Sequence, residues 1–191
     1  MRSAALSTII AAIALTSAAC SSTQPGQPSP AGSLAPSSAS PSSAATAASK
    51  LSGVNACALL ADSEAQQIAP GAGSHTDYGD AGGAGTSVCG WTKPVVNGQG
   101  GVSFGIVVRP AQSINDLAVK PGGQLSRPTS TGGRQVALVK NNEGKGTCLA
   151  AIAVGSGRID INATTMHDTT EQMCSVVSKI DDFVEARLPS S

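Results

Sequence analysis

Four cysteines, Cys57, Cys89, Cys148 and Cys174, stand in a region nearly empty of large aromatic side chains, and they constrain the fold more than any other feature. Aromatic residues are 2% of the 191-residue chain: one Trp, one Tyr and two Phe. A core drawn from Val, Ile, Leu and Ala stabilises less per residue than one with aromatic rings, so cross-links carry weight. An even cysteine number in an exported domain reads as disulfides. Four cysteines allow three pairings. Nearest-neighbour order gives Cys57–Cys89 and Cys148–Cys174, each closing a loop of about thirty residues and worth roughly 3.5 kcal/mol in chain entropy. Zinc is the rival, but no CxxC or HxxxH spacing occurs and only two histidines exist. No metal and no cofactor are expected.

Export is read from the start of the chain. Met1-Arg2 gives one charge, Ala4 to Ala19 is uncharged and largely apolar, and Ser17-Ala18-Ala19 precede Cys20. A charged start, a short apolar run and small residues before a cut site describe a signal peptide over 1–19, too short to span a membrane comfortably. A cysteine at the cut site points to lipidation of Cys20, whose thiol is the nucleophile that thioether formation needs. The alternative is an ordinary secreted protein cut near Ala19 with Cys20 left free. Residues 20–50 then form a tether: 21–49 contain no charge and a single large aliphatic side chain, Leu34. Such a segment cannot offset its ordering entropy by burial and is expected to be disordered, spanning on the order of 30 Å.

Residues 51–191 are the length of one domain. They hold ten basic and twelve acidic residues, a formal charge of −2. Without a basic stripe or aromatic platforms, nucleic acid is not an expected partner. The clearest element is a helix over 168–188. Met173, Val176, Val177, Ile180, Val184 and Leu188 recur at helical spacing, Asp168 or Thr169 can cap it with Glu171 in return, and Pro189 closes it. Short helical turns are expected over 51–69, capped by Asn55 and Ser63, before a Gly-rich surface loop at 70–87. Strands are expected at 87–93, 102–109, 134–140, 146–154 and 157–164, with a tight hairpin at Gly155-Ser156-Gly157 and a helical turn near 113–119. The expected class is α+β: a mostly antiparallel sheet, the C-terminal helix on one face, and two disulfides. A Cys148–Cys174 bond would staple that helix to its strand.

The candidate chemical motifs are thin. The Gly-rich loop lacks the Lys-Ser or Lys-Thr of a phosphate cradle, and Val139 stands where a P-loop ending at Gly144-Lys145-Gly146-Thr147 needs glycine. His75 lies near Asp77 and Asp80, and His167 adjoins Asp168, but sequence neighbours rarely orient a catalytic histidine. No Gly-x-Ser-x-Gly elbow is present. Asp181 and Asp182, with Glu185, read as a solvated helix face, and Asp160 and Asn162 as the solvent side of a strand. Trp91, two residues from Cys89, is expected in the core, and becomes the ligand-contact candidate if it lies in a cleft.

One resemblance gathers these features. A Ser/Pro/Ala tether, Asn55-Ala56-Cys57-Ala58-Leu59-Leu60 with Glu64 after it, Cys89-Gly90-Trp91, two later cysteines and a final helix ending Leu188-Pro189 resemble the actinobacterial lipoprotein family known as domain of unknown function 3558. Ala56 stands where that family often has proline. The resemblance covers about residues 51–189 and implies an envelope lipoprotein, with no catalytic residues to carry over. The expectation is a non-enzymatic protein held on the outer face of the membrane through Cys20, binding a small molecule or envelope component. The alternative is a structural or protein-interaction module for an envelope protein.

Overall fold

A computed structural model of the chain describes residues 49–190. The signal expected at 1–19, the lipidation site Cys20 and the tether up to residue 48 lie outside them. Seven strands follow in sequence: β1 (Thr76–Gly79), β2 (Ser87–Val96), β3 (Gln99–Arg109), β4 (Gln124–Ser126), β5 (Val136–Lys140), β6 (Thr147–Val154) and β7 (Gly157–Thr165). They form one sheet in the order β1-β2-β3-β7-β6-β5-β4, and every neighbouring pair is antiparallel. Two α-helices, α1 (Asp62–Ile68) and α2 (Thr170–Glu185), flank it in sequence. The class is α+β, as the strand and helix patterning predicts.

Strand alternation sorts the sheet into two faces. Trp91, Phe104, Ala163 and Cys148 share one cross-strand row, and Cys89, Ile106, Ile161 and Ala150 share the row two residues along. These side chains are buried with Met173, Val177, Ile180 and Val184 of α2, which packs on β6 and β7. Leu51, Leu60, Ala65 and Ile68 complete the same core from the N-terminal side. Both disulfides lie on this face: Cys57–Cys89 ties the 3-10 turn Ala56–Ala58 to β2, and Cys148–Cys174 ties β6 to α2. The nearest-neighbour pairing holds.

Several expected boundaries shift, each for a local reason. The Gly-rich loop contains β1, whose four residues are all exposed and so carry no alternation to read. β4 is equally short and exposed. β2 and β3 run past the Pro and Gly residues that appeared to end them, joined by Asn97-Gly98 with φ of 51° and 75°, the left-handed pair of a primed hairpin turn. Asn55 caps its turn by accepting the Cys57 N–H at 2.7 Å, as expected. Ser63 does not cap α1; the helix starts one residue earlier, and Glu64 accepts the Ala61 N–H at 2.8 Å. At α2 the capping box is Thr169 with Gln172, not Asp168 with Glu171.

Candidate functional site

The outer sheet face, away from α2, carries Val107 and Arg109 of β3, Arg158, Asp160, Asn162 and Thr164 of β7, and Leu149 of β6. Register sets Arg109 directly across from Arg158, and Val107 across from Asp160. Two cations facing each other across a ladder repel. Asp160 relieves this by accepting the Arg109 Nε–H at 2.6 Å on Oδ2, the Arg158 Nε–H at 2.8 Å on Oδ1 and the Arg158 Nη2–H at 3.3 Å on Oδ2. Asp160 and Arg158 are each 5% exposed. The solvent-face reading of Asp160 is therefore corrected: loops cover a strand face that alternation alone assigned to water. Asn162, further along the same face, is exposed as expected.

Two loops supply that cover. On one side the Gly82 carbonyl accepts the Arg109 Nη1–H at 3.1 Å. A Cβ at Gly82 would sit 3.2 Å from Val107 and 3.3 Å from Val88, so glycine lets the loop lie close on the sheet. On the other side, the 3-10 turn Ile114–Asp116 seats Ile114 against Ala137 and Ala151. Ser113 caps this turn, and Asp116 Oδ2 accepts the Ser113 N–H at 2.6 Å. The Ser113 N–H and hydroxyl hold the Asp116 carboxyl below its ordinary range, with Arg158 adding a smaller push. Arg158 Nη1 donates to Ser113 O at 2.8 Å and Nη2 to Gln112 Oε1 at 3.2 Å. Beyond the turn, Lys120 N–H donates to Asn142 Oδ1 at 2.9 Å, and Lys120 forms an exposed ion pair with Glu143.

Lined by residues of 112–120 and by Asn142 and Glu143 over the outer sheet face lies a cleft of about 570 Å³, in the size range of small-molecule sites. Its floor is the Arg109–Asp160–Arg158 cluster, and Val107, Leu117, Ala118 and Leu149 give it apolar surface. No aromatic residue lines it.

Sequence reasoning singled out none of these cleft residues as a site. The available signal was Arg158-Ile159-Asp160 on a strand: a cation and an anion two apart share one face, and a charged pair in register with Arg109 seldom lies there idle.

Trp91 takes the core place expected of it, not the cleft place that would have made it a ligand contact. Trp91 is 2% exposed on the helix-side face, stacked on Phe104 with ring centroids 5.8 Å apart, and does not line the cleft. Its indole N–H donates to Asp62 Oδ1 at 2.9 Å. The same oxygen accepts the His75 N–H at 2.9 Å and faces His75 Nδ1 at 2.9 Å. His75 and then Trp91 hold the Asp62 carboxyl below its ordinary range. His75 thus pairs with Asp62 rather than Asp77 or Asp80. Asp77 instead accepts the Gly79 N–H at 2.8 Å within its own turn. His167 donates its N–H to Thr165 Oγ1 at 3.2 Å, and neither histidine side chain hydrogen-bonds a serine among the described residues.

Cys57, His75 and Cys89 place one potential metal-ligating atom each within 4.8 Å of one another. Both sulfurs are spent in the Cys57–Cys89 bond and offer no thiolate.

The acidic end of α2 also departs from a solvated face. Glu185 and Arg134 form a buried ion pair, Nε to Oε2 2.9 Å, with each side chain 8% exposed, and Ser130 Oγ hydrogen-bonds Glu185 Oε1. Asp181, one turn earlier, is half-buried, and its Oδ1 has no hydrogen-bond partner among the described residues. Burial, then Glu185 and Asp182, push its pKa up to about 6. Loop 127–135 closes over this helix end, which helical periodicity could not reveal.

The family described as Protein of unknown function (DUF3558) matches residues 15–187. No curated protein and no solved structure matches the chain.

Proposed function

The chain belongs to the DUF3558 family, and from that premise we propose that it is an actinobacterial envelope lipoprotein whose folded domain binds a small molecule in the outer-face cleft. The lipid would sit on Cys20 after removal of residues 1–19, with residues 20–50 as tether and 51–191 as the exported domain. Supporting the anchor are the small residues before Cys20 and the uncharged Ser/Pro/Ala stretch after it. Two disulfides in the domain fit an oxidising compartment. No helix of the described residues is long and apolar enough to cross a membrane.

The observation that carries the binding reading is the buried charge cluster flooring an open cleft. Desolvating ions is costly, and well-packed apolar residues would serve stability as well or better. Charge kept at the floor of a recess is explained by what the recess holds. The role we read is a binding one: the carboxylates of the cleft are held by Arg109, Arg158, Ser113 and Lys120, and its walls are amide and aliphatic.

Two measurements test it. Intact-mass analysis of protein taken from its own membranes, with and without reductant, should show loss of residues 1–19, acyl mass on Cys20 and two disulfides. Native mass spectrometry of the same material should show a small-molecule adduct that Asn162→Trp, which fills the cleft from the exposed side of β7, removes. Mature protein found only in the medium without lipid mass overturns the anchor. An adduct that survives Asn162→Trp overturns the cleft.

The interaction-module alternative also has an observation behind it. Val95 and Val96, just before the Asn97-Gly98 turn of the β2–β3 hairpin, are 52% and 63% exposed, and Met166, just past the end of β7, is 94% exposed. This apolar tip would meet an envelope protein, and the variant pair Val96→Lys and Met166→Lys would abolish that contact while leaving the adduct intact.

A further inference from the structure

Resting on the cleft reading above, we propose that the ligand is held by one anionic group, a carboxylate or phosphate, seated on the Arg109 guanidinium, with a short apolar body against Val107, Leu117 and Leu149.

Donor accounting carries the argument. A guanidinium has five N–H donors and no acceptor. Arg158 spends four: Nε and Nη2 to Asp160, Nη1 to Ser113 O, and Nη2 again to Gln112. Arg109 spends two, Nε to Asp160 and Nη1 to Gly82 O. Its remaining three N–H groups have no protein acceptor among the described residues, although its side chain is only 21% exposed. Asp160 already accepts three of these N–H groups on its two oxygens.

Charge is distributed to suit the same seat. Asp116 stays ionised beside Ser113 and Arg158, Glu143 pairs with Lys120, and Asp160 lies between the two guanidinium groups, so the cleft is balanced in formal charge while the unspent donors gather on Arg109. Glu143 and Lys120 are more than half exposed, where water and salt screen them. A neutral occupant would replace the water on the free Arg109 donors with weaker, uncharged acceptors, whereas a carboxylate or phosphate returns charge-assisted bonds and matches the fork of the guanidinium. The aliphatic walls and the lack of aromatic lining favour a short alkyl or amino-acid-sized body over a stacked ring.

The test uses full-length mature protein in detergent, isotope-labelled at arginine, titrated with butyrate, butyl phosphate, inorganic phosphate and the neutral isostere butyramide. NMR reads the Arg109 Nε–H signal in the parent and in Asn162→Trp, and calorimetry reads the affinities in every variant. The expected result is a saturable shift with butyrate or butyl phosphate, about tenfold or more tighter than butyramide. Arg109→Gln should lose this preference, Arg109→Lys should retain part of it, and Asn162→Trp should block every probe. Tighter binding of butyrate than butyl phosphate assigns the natural group as a carboxylate, and the reverse as a phosphate.

Butyramide binding as tightly as butyrate overturns the anion proposal while leaving the cleft as a binding site. Inorganic phosphate matching butyl phosphate removes the apolar body from it. No shift with any probe overturns both the proposal and the cleft reading.

Discussion

Arg109 and Arg158 face each other across the β3–β7 ladder, and the Asp160 carboxylate bonds to both. Like charges in direct register are tolerable in a buried place only because that third group is there. Removing it leaves two guanidinium groups close together with little water to screen them. Asp160→Asn should therefore destabilise the domain by about 3 kcal/mol, the scale for orphaning a buried charge. Urea unfolding followed by Trp91 fluorescence measures this. A loss below about 0.5 kcal/mol would place the cluster with ordinary surface ion pairs.

Asp181 makes stability depend on pH in an unusual direction. Its pKa rises from an ordinary 3.8 to about 6 in the folded protein, chiefly through burial. The folded state thus holds the proton more tightly than the unfolded one, and the neutral carboxyl favours folding. Between about pH 4 and pH 6 the unfolded chain ionises first, so this contribution falls as pH rises and is spent above pH 6. Asp181→Asn should flatten that limb of the stability–pH curve. At pH 7.5 it should be more stable than the parent, by about 1 kcal/mol once partial exposure is discounted. Thermal melts of both proteins from pH 4 to pH 8 decide the matter, and a parent whose melting temperature climbs over that window in step with the variant contradicts it.

Glu185 and Arg134 close the C-terminal end of α2 onto loop 127–135, with Arg134 Nη2 also donating to Pro189 O at 2.7 Å. The pair is buried, so losing one partner costs more than the pair itself contributes. Glu185→Ala should cost about 3–5 kcal/mol. The double variant Glu185→Leu with Arg134→Met should recover most of that loss, because it leaves no charge behind. Chemical denaturation of both variants tests the difference.

The helix-side half of this architecture was legible in the sequence, and the other half was not. Met173, Val177, Ile180 and Val184 repeat at helical spacing, and Phe104, Ile106 and Val108 alternate, because one partner surface dictates each pattern. Disulfide pairing followed chain order: Cys57 reaches β2 from the turn Ala56–Ala58, and Cys148 reaches α2 from β6. The outer face broke the rule. Ile159-Asp160-Ile161-Asn162 alternates cleanly, yet Asp160 is buried and Asn162 is not. What separates them is the position of loops 79–86 and 110–120, which alternation does not encode. The cleft is walled by the second of those loops, so it was invisible for the same reason. Trp91 illustrates the converse: its place two residues from Cys89 implied the core correctly, but its anchor Asp62 comes from a helix start 29 residues earlier.

The Cys148–Cys174 bond makes a prediction that separates the two cross-links. Both close loops of similar length, with sequence separations of 26 and 32, so chain entropy assigns each roughly 3.5 kcal/mol and does not distinguish them. Their places in the fold do. Cys174 lies on α2, which packs on β6 and β7, whereas Cys57 lies on a three-residue turn. Without Cys148–Cys174, α2 keeps its apolar stripe but loses its covalent tie to the sheet, and partial opening of the helix becomes available below the global unfolding free energy. Hydrogen exchange should then accelerate at the amides of Met173 to Val184 in Cys148→Ala/Cys174→Ala. In Cys57→Ala/Cys89→Ala the same amides should quicken only in proportion to the global loss. Equal acceleration of α2 in both variants would mean that the helix exchanges only by global unfolding and that the staple adds stability without local control.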